Sequence, residues 1–180
     1  MFLFDTRWSG RYSWGISHNQ TGIHFLSSPP GVHSVGNGNK NLIITSSSED
    51  KTIHDKLEGQ GFKVIHAAGA GYKIMCAVDD LVGSYVLSQG TTFKWDSCGP
   101  HAILLSLGGG IVDFNKALDC MREHGDSSES ELGPCLQACQ VQYHQPDEGE
   151  HKPGETWSNS GGIIAYRDLP VLVNVLRSLV

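Results

Sequence analysis

The chain has no apolar run long enough to span a bilayer, no internal repeat and no excess of basic residues. Lys and Arg number 13 against 19 Asp and Glu, a formal charge of −6. That balance argues against a nucleic-acid footprint and leaves no basic patch for a membrane surface. Met1-Phe2-Leu3-Phe4 is too short for the apolar part of a signal peptide, and Asp5 follows at once. The chain therefore reads as cytoplasmic. Cysteines are few and odd in number: Cys76, Cys98, Cys120, Cys135 and Cys139. Three lie in or beside expected helices, so no disulfide framework is expected. Cys135 and Cys139 with His144 and His151 match no compact zinc module, and that stretch reads as a solvated loop. What remains is an ordinary globular composition, 39% apolar and 18% charged over 180 residues, enough for one domain with a real core.

Strands alternate with helices. Tyr12 to His18 alternates like a strand, and Ser27 to Lys40 is linker-like in its Ser, Pro, Gly and Asn. Leu42–Thr45, Phe62–His66, Ser84–Leu87, Ile111–Phe114 and Gly162–Tyr166 read as strands. Ser48 is placed to cap a helix carrying Ile53 and Leu57, and Tyr72 to Leu81 is helical. A helix follows Asp96 to about Leu107 and stops at Gly108-Gly109-Gly110. Another runs to about Glu123, and Gly125 to Ser160 is polar and loop-like. Asp168 caps a last helix in which Leu169, Leu172, Val173, Leu176 and Leu179 keep helical spacing. The pattern is that of an α/β domain.

The densest chemistry is Thr91-Thr92-Phe93-Lys94-Trp95-Asp96-Ser97-Cys98-Gly99-Pro100-His101. A carboxylate at a helix start binds a hard cation, and helix-start amides beside it hold a phosphate. The plain alternative for Asp96 is a helix cap, a common use of Asp; the polar residues crowded around it favour the ligand reading. The second feature is Ala67-Ala68-Gly69-Ala70-Gly71-Tyr72-Lys73. Small residues let the backbone approach an anion, and Lys73 can reach back as a point charge. It is neither a GxGxxG turn nor a P-loop. Cys98 and His101 invite a nucleophile–base reading, but no Arg follows at thiol-phosphatase spacing, and Cys98 reads better as a small packing residue.

Trp95-Asp96 with its flanks and the Gly-Ala-Gly-Tyr-Lys loop together resemble the inositol polyphosphate 1-phosphatase family. That family lies within the lithium-sensitive, magnesium-dependent inositol monophosphatase superfamily. Arg11-Tyr12-Ser13-Trp14-Gly15, Ser48-Glu49, Gly108 to Asp113 and Trp157 to Arg167 extend the likeness. The resemblance implies the C-terminal α/β domain of a layered α-β-α-β-α sugar-phosphatase-like fold over residues 41–180, with residues 1–40 as a remnant strand of the first domain and a linker. It implies removal of the 1-phosphate from inositol 1,4-bisphosphate and inositol 1,3,4-trisphosphate, with Mg2+ as cofactor. Asp96 would be a metal ligand. Ser48, Gly69, Ala70, Lys73 and Thr91 would contact the inositol polyphosphate. Asp50 stands where the family carries Lys, and a carboxylate facing phosphate would repel it.

The chain also lacks the acidic cluster that such chemistry needs. The family's Asp-Pro-Ile-Asp-Ser-Thr motif does not occur, and one Asp cannot assemble a multi-metal site. The chain is thus expected to be the C-terminal part of the enzyme, inactive alone, with the missing N-terminal domain as its partner. The rival expectation is a catalytically inactive fragment or pseudoenzyme that binds an inositol phosphate or a partner chain. Neither reading calls for nucleic acid or membrane insertion.

Overall fold

A computed structural model describes residues 12–18, 21–27, 39–125, 129–144 and 156–180. Strands β1 (Ser13–His18) and β2 (Thr21–Leu26) form an antiparallel pair. Then come β3 (Leu42–Thr45), α1 (Lys51–Gly59), β4 (Lys63–His66), α2 (Ala70–Val78), β5 (Ser84–Leu87) and α3 (Lys94–Ser106). The chain continues with β6 (Gly110–Asp113), α4 (Phe114–His124), α5 (Glu129–Ala138), β7 (Ile163–Tyr166) and α6 (Leu169–Leu179). The main sheet has the order β4-β3-β5-β7-β6. β4, β3 and β5 are parallel, and β7 runs antiparallel to both β5 and β6.

The inner strands β3, β5 and β7 are buried along almost their whole length because both faces of the sheet are covered, whereas edge strand β4 exposes Lys63 and His66. Side chains alternate across the sheet. Ile43, Val86, Val112 and Ile164 join one core with residues of α1, α4, α5 and α6. Ile44, Tyr85, Leu87, Ile111 and Ile163 join the other with residues of α2 and α3. The β1–β2 pair lies on the far side of α3. Gly15 and Gly22 permit that approach: a Cβ on Gly15 would strike Ser106 and the Ile103 backbone, and one on Gly22 the Ser106 backbone. The layers therefore run helices, sheet, helices, sheet.

Several local expectations change. α1 is capped by Asp50, whose carboxylate accepts the Thr52 amide at 2.7 Å, and not by Ser48. Two residues separate the sites because the chain turns again after β3 before entering the helix. Asp168 flanks α6 without a side-chain cap and pairs with Lys40 at 3.0 Å instead. Gly108, at φ 88°, ends α3 as expected. The stretch from Gly125 to Ser160 is not all loop: α5 buries Leu132 and Leu136 against the first core, four residues apart on one helical face. No disulfide framework forms, but α5 brings Cys135 against α4, where it is bonded to Cys120 in a single cross-link that the sequence reading did not foresee. Most of the linker, residues 28–38, lies outside the described residues. No helix among the described residues is long and apolar enough to cross a membrane.

Candidate functional site

Three parallel strands end on the same edge of the sheet, and their following loops carry the residues singled out above. The loop after β3 holds Ser46 to Asp50, the loop after β4 leads through Gly69 into α2, and the loop after β5 runs from Ser88 to Phe93. The chain passes from β3 to β4 on one side, then crosses to β5 on the other. The loops after β3 and β5 therefore diverge around a crevice at a topological switch point, the place where open α/β sheets bind ligands.

Glu49 ties the two loops. Its carboxylate accepts the Ser88 amide at 3.0 Å, the Ser88 hydroxyl in a short bond, and the Asp50 amide at 3.0 Å. The Gln89 side-chain amide donates to the Ser48 carbonyl at 3.1 Å. From the start of α2, Lys73 Nζ donates to Ser46 Oγ at 2.6 Å and lies 4.8 Å from the centre of the Tyr85 ring. Lys73 is only 3% exposed. Burial lowers its pKa, and the nearby Glu49 charge partly opposes that shift. A buried ammonium held by a hydroxyl and a ring face has donors to spare. The Tyr85 hydroxyl beside it is buried without a well-formed hydrogen bond among the described residues; burial pushes its pKa up to about 12, and the neighbouring Ser46 hydroxyl partly opposes that shift.

α2 starts at Ala70 after Gly69, whose φ of 80° suits glycine, and no side chain caps its first amides. α3 starts three residues earlier than expected, at Lys94 rather than Ser97, because Thr92 to Lys94 pair with Trp157 to Asn159. Lys94 N donates to Trp157 O and Asn159 N to Thr92 O, both at 2.8 Å. With the Lys94 amide spent there and the Asp96 amide on Phe93 O, two helix-start donors of α3 are occupied.

Asp96 is half-buried in the first turn of α3. One carboxylate oxygen, Oδ2, accepts the Phe93 amide at 2.9 Å. The cap and the ligand readings thus fall on different oxygens of one group. Oδ1 is a hard donor of the kind Mg2+ takes, but one carboxylate is one ligand of six. Among the described residues the groups of three or more metal-ligating side chains number one, and it lies elsewhere, at Cys120, His124 and Cys135. These residues do not make a magnesium site by themselves.

The structure thus brings Ser48, Gly69, Ala70, Lys73 and Thr91 to one edge of the sheet, with Asp96 a turn into α3. A Cβ on Gly71 would lie 3.9 Å from the Asp96 carbonyl, so the starts of α2 and α3 adjoin. Ser48 and Thr91 are exposed. The Asp50 carboxylate caps α1 by accepting the Thr52 amide. Sequence reasoning missed Ser46, Tyr85 and Ser88; the position of Ser46, directly after an apolar strand, was the available signal. Cys98 is exposed, with its thiol toward Trp95 O, so it is neither a packing residue nor a partner of His101. His101 is buried, and burial lowers its pKa to about 4.

The His101 surroundings form a closed network. Gln140 Oε1 accepts the Ile111 amide at 3.0 Å, which fixes the amide's orientation. His101 Nε2–H therefore donates to Gln140 Oε1 at 2.8 Å, and Nδ1 lies 2.8 Å from the Tyr143 hydroxyl, which is also hydrogen-bonded to Ser97 Oγ at 3.2 Å. Gln140 Nε2 donates to the Tyr166 hydroxyl at 2.8 Å.

Residues 2–145 match the inositol monophosphatase family. The chain is similar to the inositol polyphosphate 1-phosphatase of Bos taurus, 36% identical over 98% of this chain and 45% of that protein. For the same protein of Homo sapiens the identity is 37%, over 97% of this chain and 44% of that one. The 3'(2'),5'-bisphosphate nucleotidase 1 of Dictyostelium discoideum is 30% identical over 61% of this chain and 35% of its own length. The chain thus spans less than half the length of these relatives. The match over residues 2–145 means that the chain belongs to the inositol monophosphatase family.

Proposed function

We propose that this chain is the inositol-phosphate-binding part of an inositol polyphosphate 1-phosphatase. Such a hydrolase would remove the 1-phosphate from inositol 1,4-bisphosphate and inositol 1,3,4-trisphosphate in phosphatidylinositol signalling. The observation that carries the reading is Lys73, a buried ammonium with spare donors at the crevice where three loops meet. A phosphate there completes its hydrogen bonds and offsets the desolvation of its charge. The uncapped start of α2, at Gly69 and Ala70, offers backbone amides to the same anion. Ser48 and Thr91, exposed on the flanking loops, would bind inositol hydroxyls or further phosphates.

Mg2+, with inhibition by Li+, belongs to the same proposal. Asp96 Oδ1 would supply one ligand, and the carboxylates that complete such a site are not in this sequence. The chain alone would then bind substrate without turning it over. The outer face of β1–β2 exposes Trp14, Ile16, Ile23 and Phe25. In this reading it packs against a domain supplied by the part of the relatives that this chain does not match, so that residues 1–40 belong with that domain and residues 41–180 form the α/β one. Neither nucleic acid nor a membrane is a partner, and the setting is cytoplasmic, where the Cys120–Cys135 pair would stand reduced.

The test is phosphate release from inositol 1,4-bisphosphate in magnesium. The chain alone should give none. Co-expressed with the unmatched part of the Bos taurus relative, it should give lithium-sensitive release that Asp96→Asn abolishes. Release that survives Asp96→Asn with unchanged magnesium dependence would reduce Asp96 to a helix cap.

A further inference from the structure

On the face of the sheet opposite α2 and α3, α4 and α5 pack together. Cys120 and His124 stand four residues apart on α4, one turn along the same helical face. α5 sets Cys135 against them. One ligand atom from each of the three residues lies within 4.8 Å of the others. We propose that Cys120, His124 and Cys135, with the cysteine pair reduced, bind a thiophilic divalent cation of the zinc class.

Zinc takes sulfur at about 2.3 Å and imidazole nitrogen at about 2.0 Å, so its ligand atoms stand roughly 3–4 Å apart. The three side chains need little movement to meet that spacing once the sulfurs separate. His124 Nδ1 lies 3.3 Å from the Cys120 carbonyl. A carbonyl only accepts, so Nδ1 holds the proton and Nε2 presents its lone pair. Metal-binding histidines are oriented by this kind of backbone bond. Burial grades across the group, from Cys120 inside through half-buried Cys135 to exposed His124, which gives a dry wall and an open side for entry and for a fourth, water ligand. Two sulfurs and one nitrogen select a soft cation over magnesium, so this site is chemically distinct from Asp96. It rests on nothing in the phosphatase reading.

The site has a structural consequence. α5 runs through Cys139 into Gln140, which anchors the His101 network. In the structure Cys120 and Cys135 are joined as a disulfide that cross-links α4 to α5. A bound cation preserves that cross-link where a reductant opens the disulfide.

The test uses the 180-residue chain carrying Cys98→Ser, which removes its exposed free thiol. A trialkylphosphine opens the disulfide: the S–S bond breaks, each sulfur takes a proton, and the phosphine leaves as its oxide with oxygen from water. Anaerobic titration with Co2+ should saturate at a single equivalent. It should give sulfur-to-cobalt charge-transfer absorption, release the thiol protons to the buffer, and reverse on addition of Zn2+. The unreduced chain should take up none. Cys120→Ser should abolish the charge-transfer band, and His124→Gln, at an exposed position, should weaken binding at least about tenfold, the scale found even for outer-sphere partners. No saturable uptake by the reduced chain would overturn the proposal, as would affinity unchanged in His124→Gln. The His124 variant decides the matter if the cysteine variant does not fold.

Discussion

Two buried polar clusters sit on the α2–α3 side of the sheet, and they are built in opposite ways. Around His101 each group is met: Gln140 joins the Ile111 amide, His101 and Tyr166, and Tyr143 closes the other nitrogen. Around Lys73 the groups are left short: an ammonium on one hydroxyl and a ring face, and a Tyr85 hydroxyl with no well-formed hydrogen bond among the described residues. Burial without satisfaction costs free energy, so it persists where something else completes it. A closed network specifies the fold; an open one at a switch-point crevice awaits an anion. Charge makes the same point, since His101 is buried neutral and Lys73 is a cation near the single carboxylate of Glu49.

The contrast breaks most visibly at Lys73. Lys73→Met keeps the length of the side chain and should weaken inositol 1,4-bisphosphate binding by about 4 kcal/mol, the loss of a buried charge-assisted contact. Stability should hold or rise, because an under-satisfied ammonium has been removed; calorimetry with and without ligand reads both. Gln140→Leu should do the reverse. It strands the Ile111 amide, His101 and the Tyr166 hydroxyl, and should cost about 3 kcal/mol in urea unfolding while sparing ligand contacts.

Acid sharpens the same difference. The folded pKa of His101 is about 4, below its ordinary 6.5, so between these values the unfolded chain binds the extra proton. The contribution of His101 to stability is therefore whole above about pH 6.5 and is lost as pH falls through 4, by about 3 kcal/mol in total. His101→Gln should flatten that segment of the pH–stability curve. The smallest effect belongs to Asp50. If its carboxylate only caps α1, Asp50→Ala should cost about 1 kcal/mol of stability and leave inositol phosphate affinity unchanged.

Much of the sheet was legible in sequence because buried strands leave short apolar runs between turn residues; β3, β5, β6 and β7 all announce themselves so. β2 was missed because Thr21-Gly22-Ile23-His24 carries little apolar alternation, and its glycine serves contact with α3 rather than the strand. α5 was missed for its polar surroundings and internal Gly133 and Pro134, although Leu132 and Leu136 held the helical signal. The crevice residues were readable as loop motifs, but what joins them was not. Lys73 with Ser46, or Glu49 with Ser88, are contacts between segments whose meeting depends on strand order. The same holds for Cys120 and Cys135, whose pairing follows from the packing of α4 on α5. Asp96 shows the limit in one residue, since capping and ligation ask for the same carboxylate at the same helix start.

The most direct measurement is a titration of the isotope-labelled 180-residue chain with inositol 1,4-bisphosphate, followed amide by amide in NMR. The account predicts saturable shifts concentrated at Ser46 to Ser48, Gly69 to Lys73 and Gln89 to Thr91, and their loss in Lys73→Met. Absent shifts, shifts centred away from the ends of β3, β4 and β5, or an equal response from Lys73→Met would contradict it.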